Sequence, residues 1–167
     1  INLYAKYSTG FRAGGANSRS STFREFLPEE VKSYEIGAKT DFFNHRARLN
    51  VAAYIMDRKN TQIDFDYVET NAASPFYNKH TEETANAPGN SRIKGIEAEL
   101  TVRPVDGLTL GASYAYTDVN VPLTPNPLEG EVFGKPTQVF TVFTPKNAVS
   151  GSLDYELPVG GNGMILR

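Results

Sequence analysis

The stretch Lys32-Ser33-Tyr34-Glu35-Ile36-Gly37-Ala38-Lys39-Thr40-Asp41-Phe42 decides the fold. Its even positions carry Tyr34, Ile36, Ala38, Thr40 and Phe42, and its odd positions carry Ser33, Glu35, Gly37, Lys39 and Asp41. Side chains of a strand alternate between its two faces, so the pattern describes one apolar and one polar face. The stretch is also long. A tilted membrane-crossing strand needs about 9–11 residues, against roughly 5–6 for the common soluble strand.

The same alternation recurs on both sides, in segments near 1–12, 31–43, 46–66, 92–105, 107–121, 146–158 and 163–167. Ile96, Ala98, Leu100 and Val102 oppose Glu97, Glu99, Thr101 and Arg103; Leu108, Leu110, Ala112, Tyr114 and Tyr116 oppose Thr109, Gly111, Ser113, Ala115 and Thr117. Val149, Leu153, Tyr155 and Leu157 stand against Ser152, Asp154 and Glu156. In the third segment a helix competes over Arg46–Met56, but Ala47, Leu49, Val51, Ala53 and Ile55 alternate with Arg46, Arg48, Asn50 and Ala52 and decide for strand. Tyr54 falls on the polar side, where it lines an interior or is turned outward by a bulge. Asp57 lies some ten residues past the short turn, beyond the reach of a hydrocarbon layer.

The connections alternate long and short. Residues 13–30, 67–91 and 122–145 are long; Asn44 with its neighbours, Asp106-Gly107 and Val159-Gly160-Gly161-Asn162 are short. Every long loop therefore falls at one end of the sheet, and every tight turn at the other. A membrane-crossing barrel sorts its loops this way because its ends face different compartments. The reading is an all-β chain: an antiparallel up-and-down meander of about seven strands, part of a transmembrane β-barrel with long outer loops and short periplasmic turns. Residues 1–167 form one partial barrel domain, with both ends cut from a longer polypeptide. Tyr34, Tyr114 and Tyr116 are placed at the outer membrane boundary, and Phe42 and Tyr155 at the inner one.

Composition agrees. Hydrophobic residues make up 40%, and no apolar run is long enough for a transmembrane helix. The net charge of −2 argues against a nucleic-acid partner. There is no cysteine, which removes disulfides and thiol chemistry. His45 and His80 lie far apart; His80-Thr81-Glu82-Glu83 has no second His or Cys and reads as a solvated loop, not a metal site. Asp64 and Asp66, with Asp57 nearby, read as rim residues that keep a strand end hydrated. No catalytic constellation and no cofactor site is expected, and the chain is not read as an enzyme.

Several stretches together resemble TonB-dependent outer-membrane receptors. Tyr4-Ala5-Lys6-Tyr7-Ser8-Thr9-Gly10-Phe11-Arg12 is similar to that family's Y-x-x-Y-x-x-G-F-R strand. Leu27 to Lys39 is similar to its L-x-P-E-x-x-x-x-Y-E-x-G-x-K signature, and Gly95-Ile96-Glu97-Ala98-Glu99 to its G-x-E-x-E strand. The resemblance implies a barrel of about 22 strands around an N-terminal plug, importing a scarce solute with energy passed through TonB. The chain corresponds to an interior portion of the barrel's C-terminal half, without the plug or the last strands.

The resemblance implies a Gram-negative outer-membrane receptor for a scarce solute, foremost a ferric siderophore. Its partners are the outer-membrane lipid, the TonB complex acting through the plug, and a ferric chelate or other small solute. Arginine with aromatic groups suits an anionic, partly aromatic chelate. The candidate ligand-binding residues are Arg12, Arg19, Phe23 and Arg24 in the first long loop, and Tyr67, Phe76 and Tyr77 in the second. Glu25, Glu29 and Glu30 balance the charge of the first set. The competing reading is a soluble or cell-surface β-sandwich binding carbohydrate or protein, with shorter strands and a packed core.

Overall fold

The computed structural model of the chain describes residues 1–128, 133–139, 143–159 and 164–166. Six long strands make one antiparallel sheet: β1 (Asn2–Arg12), β4 (Glu29–Phe42), β5 (Ala47–Lys59), β8 (Asn90–Val102), β9 (Leu108–Asn120) and β12 (Asn147–Tyr155). Their order in space is their order in the chain. Among the described residues, four two-stranded sheets accompany this wall. β2 (Gly15–Ala16) pairs with β3 (Glu25–Phe26), β6 (Gln62–Val68) with β7 (His80–Asn86), β10 (Thr124–Pro125) with β11 (Pro136–Thr137), and β13 (Leu157–Val159) with β14 (Met164–Leu166). The wall strands run to 9–14 residues, which suits a tilted membrane crossing.

The register assigns the faces. Ile36 sits opposite Ala53, Ala53 opposite Ile96, and Ile96 opposite Tyr116. One row lower, Leu3, Ala38, Val51, Ala98, Tyr114 and Val149 line up across all six strands. The apolar residues therefore form one continuous band, and that band is bare: Leu3 is 76% exposed, Ile36 64% and Val149 80%. Among the described residues the only buried apolar side chains are Ala47, Tyr67, Ala87 and Val121. A β-sandwich hides this surface in a core, so the packed-sandwich reading does not describe the chain. From Tyr34 to Phe42 the band runs about 27 Å along the strand, or about 20 Å in height at a tilt of about 40°. That approaches the roughly 25 Å apolar belt of a transmembrane barrel.

The opposite face is polar and cross-linked. Tyr4 Oη donates to Glu35 at 2.8 Å, Arg48 to Asp41 at 2.8 Å, and the Ser113 and Ser150 hydroxyls meet at 2.7 Å. Tyr54 belongs here: the register through β5 has no bulge, and its Oη lies 3.3 Å from Thr117 Oγ1. Its ring fills the space over Gly95, where a Cβ would come within 2.5 Å of the Tyr54 Oη and of the Tyr116 carbonyl oxygen.

The short turns behave as their residues demand. Gly107 adopts φ 81°, and Glu156 N donates to its carbonyl at 2.8 Å. Phe43, Asn44 and His45 close the β4–β5 turn with φ of 51°, 52° and 66°. The turn residues 160–163 lie outside the described residues.

Two expectations need correction. The third segment, 46–66, is not one strand. Asn60 takes φ 55°, and the chain leaves the wall after Lys59; Gln62–Val68 then pairs with His80–Asn86 alone. The long loop of 67–91 thus starts earlier and is half hairpin. The seventh segment does not extend the wall either: its described part, β14, pairs with β13.

Candidate functional site

The two long loops that follow β1 and β5 are anchored at their roots by a buried ion pair. Glu29, at the start of β4, is 5% exposed and takes both forks of Arg58, with Nε to Oε1 at 2.8 Å and Nη2 to Oε2 at 2.9 Å. It also accepts from Gln62 N at 2.8 Å. Gln62 Nε2 reaches back to the carbonyls of Ala13 (2.9 Å) and Leu27 (3.1 Å). Asn86 closes the knot: its Oδ1 accepts from Leu27 N at 2.7 Å, and its Nδ2 donates to Leu27 O at 3.0 Å and Asn60 O at 2.8 Å. The left-handed Asn60 turns the chain so that these groups converge.

Higher up, loop residues 13–28 lie against the β6–β7 hairpin. Asn17 pairs with the backbone of Thr84, donating at 2.8 Å and accepting at 3.1 Å. Phe23 meets Phe65 and Tyr67 edge to face, with centroids 5.1 and 5.3 Å apart. Glu69, fully buried, ties the loops together: its carboxylate accepts from Asn71 N at 2.8 Å and Ser21 N at 2.8 Å, and from Ser21 Oγ at 3.1 Å. The N–H groups of Asn71 and Ser21 hold its carboxyl below the ordinary value, since they favour the charged form.

This architecture divides the candidate residues. Arg19, Arg24 and Phe76 line one cleft of about 480 Å³, with Glu25, Asn71 and Ser74. Arg19 and Arg24 are exposed and have no ion-pair partner among the described residues. Arg24 Nε reaches only the Ser21 carbonyl, at 3.4 Å. The charge balance read from sequence is redistributed, because Glu29 is committed to Arg58 and Glu30 lies on the other face of β4; only Glu25 shares the cleft. Phe23 and Tyr67 instead pack the loop interior, Tyr67 being 2% exposed. Arg12 stands apart, 3.6 Å from Asp64. Tyr77 is exposed near the hairpin tip and does not line the cleft.

The residues that fix the cleft, Asn17, Glu69, Gln62 and Asn86, were missed because single polar residues in a polar loop carry no periodic signal. Glu29 and Arg58 lie on strands, and only pairing through space joins them.

Comparison with known proteins agrees with the antiparallel wall of long strands. The chain is 27% identical over 121 residues to the metal-pseudopaline receptor CntO of Pseudomonas aeruginosa, covering 72% of this chain and 15% of that protein. It is 27% identical over 125 residues to the probable TonB-dependent siderophore receptor PiuA of Acinetobacter baumannii, covering 70% and 15%. To the ferric-pyoverdine 358 receptor of Pseudomonas putida it is 25% identical over 116 residues, covering 70% and 13%. The chain thus spans about 15% of the length of these relatives, which are receptors and not enzymes. Among solved structures, P. aeruginosa FpvA bound to a heterologous pyoverdine superposes with a TM-score of 0.56 at 19% identity, over 96% of this chain and 19% of that one, and so shares the fold. The family described as TonB dependent receptor-like, beta-barrel, matches residues 1–164, and the chain belongs to it.

Proposed function

We propose that residues 1–167 are one arc of the wall, with its ligand-collecting loops, of an outer-membrane receptor that takes up a ferric siderophore or a similar anionic metal chelate. Energy for uptake reaches the receptor through TonB and a plug encoded elsewhere in the polypeptide. The observation that carries the ligand class is the cleft holding Arg19 and Arg24 beside Phe76. Two guanidinium groups without carboxylate partners among the described residues attract an anion and donate in a planar fork to carboxylate or catecholate oxygens. Phe76 offers a flat face to an aromatic chelator. The loops stand on the Glu29–Arg58 knot and the Glu69 link, so the cleft is preformed and little ordering is needed on binding. The names of the relatives, all metal-chelate or siderophore receptors, support the same class.

The test is calorimetric titration of the full-length receptor with ferric pyoverdine and other ferric siderophores. Replacing Arg19 and Arg24 by alanine is expected to weaken binding at least about tenfold, as loss of charged hydrogen bonds does. Unchanged affinity for every chelate that binds would refute the assignment of this cleft. Induction of the parent gene by carbon limitation, with none under iron limitation, would move the ligand class to sugars.

A further inference from the structure

The β6–β7 hairpin leaves one strand edge open. The N–H and C=O of Thr84 both engage the Asn17 side-chain amide, at 3.1 and 2.8 Å, so they point away from β6. Thr84 and its partner Asp64 therefore face each other without mutual backbone hydrogen bonds. Such pairs alternate along an antiparallel ladder, so Gln62, Asp64, Asp66 and Val68 all turn their backbone groups away from β7. Gln62 fits this parity, its N–H donating outward to Glu29 at 2.8 Å. The edge of β7 is covered at Thr84 by Asn17. On β6, by contrast, the backbone groups of Asp64, Asp66 and Val68 have no partner among the described residues. An unpaired edge of this kind is a template for another strand.

The two faces beside the edge differ in chemistry. Ile63 and Phe65 point to one face, where a cavity of about 280 Å³ is lined also by Phe23, Ala85, Pro125 and Phe133 and carries no charged side chain in its lining. Asp64 and Asp66 point to the other face, with Glu82 directly opposite Asp66. Arg12, 3.6 Å from Asp64, is the one cation paired with these three carboxylates among the described residues. Pro125 and Pro127 border the same cavity but have no N–H, so that segment gives β6 no continuous partner. A second copy of the hairpin would set its own aspartates beside these, and like charges side by side repel.

We propose that the open edge of β6 binds an extended segment of another polypeptide as an added strand. Asp64, Asp66 and Val68 supply the main-chain hydrogen bonds. Alternate apolar side chains of the segment enter the cavity beside Ile63 and Phe65. The residues between them are lysine or arginine and face Asp64, Asp66 and Glu82. None of the three edge residues lines the cleft of Arg19 and Arg24, so the proposal does not depend on the chelate reading.

The test is fluorescence anisotropy with the full-length receptor in neutral detergent, blanked against empty micelles. The probe is a labelled, end-capped octapeptide of alternating valine and lysine, which is expected to bind saturably. Methylating the backbone nitrogens of the lysines, or those of the valines, separates the two edges of the peptide. One set is expected to weaken binding at least about tenfold, through lost main-chain hydrogen bonds, and the other to leave it nearly unchanged. A scrambled peptide with its lysines grouped before its valines, and one with glutamate for lysine, are each expected to bind at least about tenfold more weakly. Asp66→Asn with Glu82→Gln, which keeps both side-chain shapes, is expected to weaken the valine–lysine peptide about fivefold to tenfold. No saturable binding, equal binding of the scrambled peptide, equal loss on methylating either set, or unchanged affinity in the doubly neutralised variant overturns the proposal. Self-association of the receptor that the peptide displaces also overturns it, since that would give the edge to a second copy.

Discussion

Replacing Arg58 by methionine should loosen the two long loops after β1 and β5 far more than its place at the end of a strand suggests. The substitution leaves the Glu29 carboxylate, 5% exposed, with a single donor, Gln62 N at 2.8 Å, in place of the three hydrogen bonds it now receives. Stranding one member of a buried pair costs about 3–5 kcal/mol. The Arg58 side chain is 24% exposed, so water softens the loss and the lower end, about 3 kcal/mol, applies. That raises the open fraction of the loops about 150-fold. Trypsin reports it directly, because Arg19 and Arg24 lie in the loop that the knot secures. When reclosing outruns cleavage, the cutting rate follows the open population. The double replacement Arg58→Met with Glu29→Leu removes both charges and leaves only Gln62 N–H unsatisfied, a cost of about 1–3 kcal/mol. It should therefore be cut more slowly than Arg58→Met alone. Equal cutting of wild type and Arg58→Met in the folded full-length receptor, or faster cutting of the double variant than the single, would refute the knot as the anchor.

Two further outcomes follow from the faces and the loops. Ala98→Arg, in the middle of the apolar band, should destabilise the receptor in liposomes by about 2–4 kcal/mol, whereas Glu99→Arg on the polar face should cost far less; urea midpoints of the two, if equal, would contradict the face assignment. Glu69 is held below its ordinary value of 4.5, so its contribution to loop docking is complete above that pH and is lost as pH falls through the lower folded value. Hydrogen exchange at Ser21 and Asn71 should speed up in that acid window beyond the intrinsic trend, and in Glu69→Gln the protection should be weaker and insensitive to that window.

The wall was legible because its code has period two. Leu49, Val51, Ala53 and Ile55 announce their face without knowledge of any neighbour, and the structure places them as read. The same code hid the departure at Asn60. Ile63, Phe65 and Tyr67 keep alternating with Asp64 and Asp66, so nothing in the pattern marks a strand that has changed partners. The candidate cleft was only half legible. Arginine and aromatic content drew attention to the two loops that meet at the cleft, but which rings line it and which pack inside depends on contacts such as Phe23 against Phe65, between residues 42 positions apart in the chain. The parity of Tyr54 was readable; its meaning came only from the unbroken register on both sides.

That unbroken register sets which insertions and deletions the gene can accept. Along each of the five strand pairings of the wall every residue has a single partner, with no bulge to absorb a slip. One codon gained or lost between Tyr34 and Phe42 would turn Ile36 or Ala38 inward and carry Glu35 or Lys39 into lipid. A gain or loss beyond Asn60, in the hairpin that pairs only with itself, would leave every such partnership as it was. Length variation among descendants of this gene should therefore gather at the long loops. The loops are free to lengthen and shorten, while the span beneath them is held to the residue.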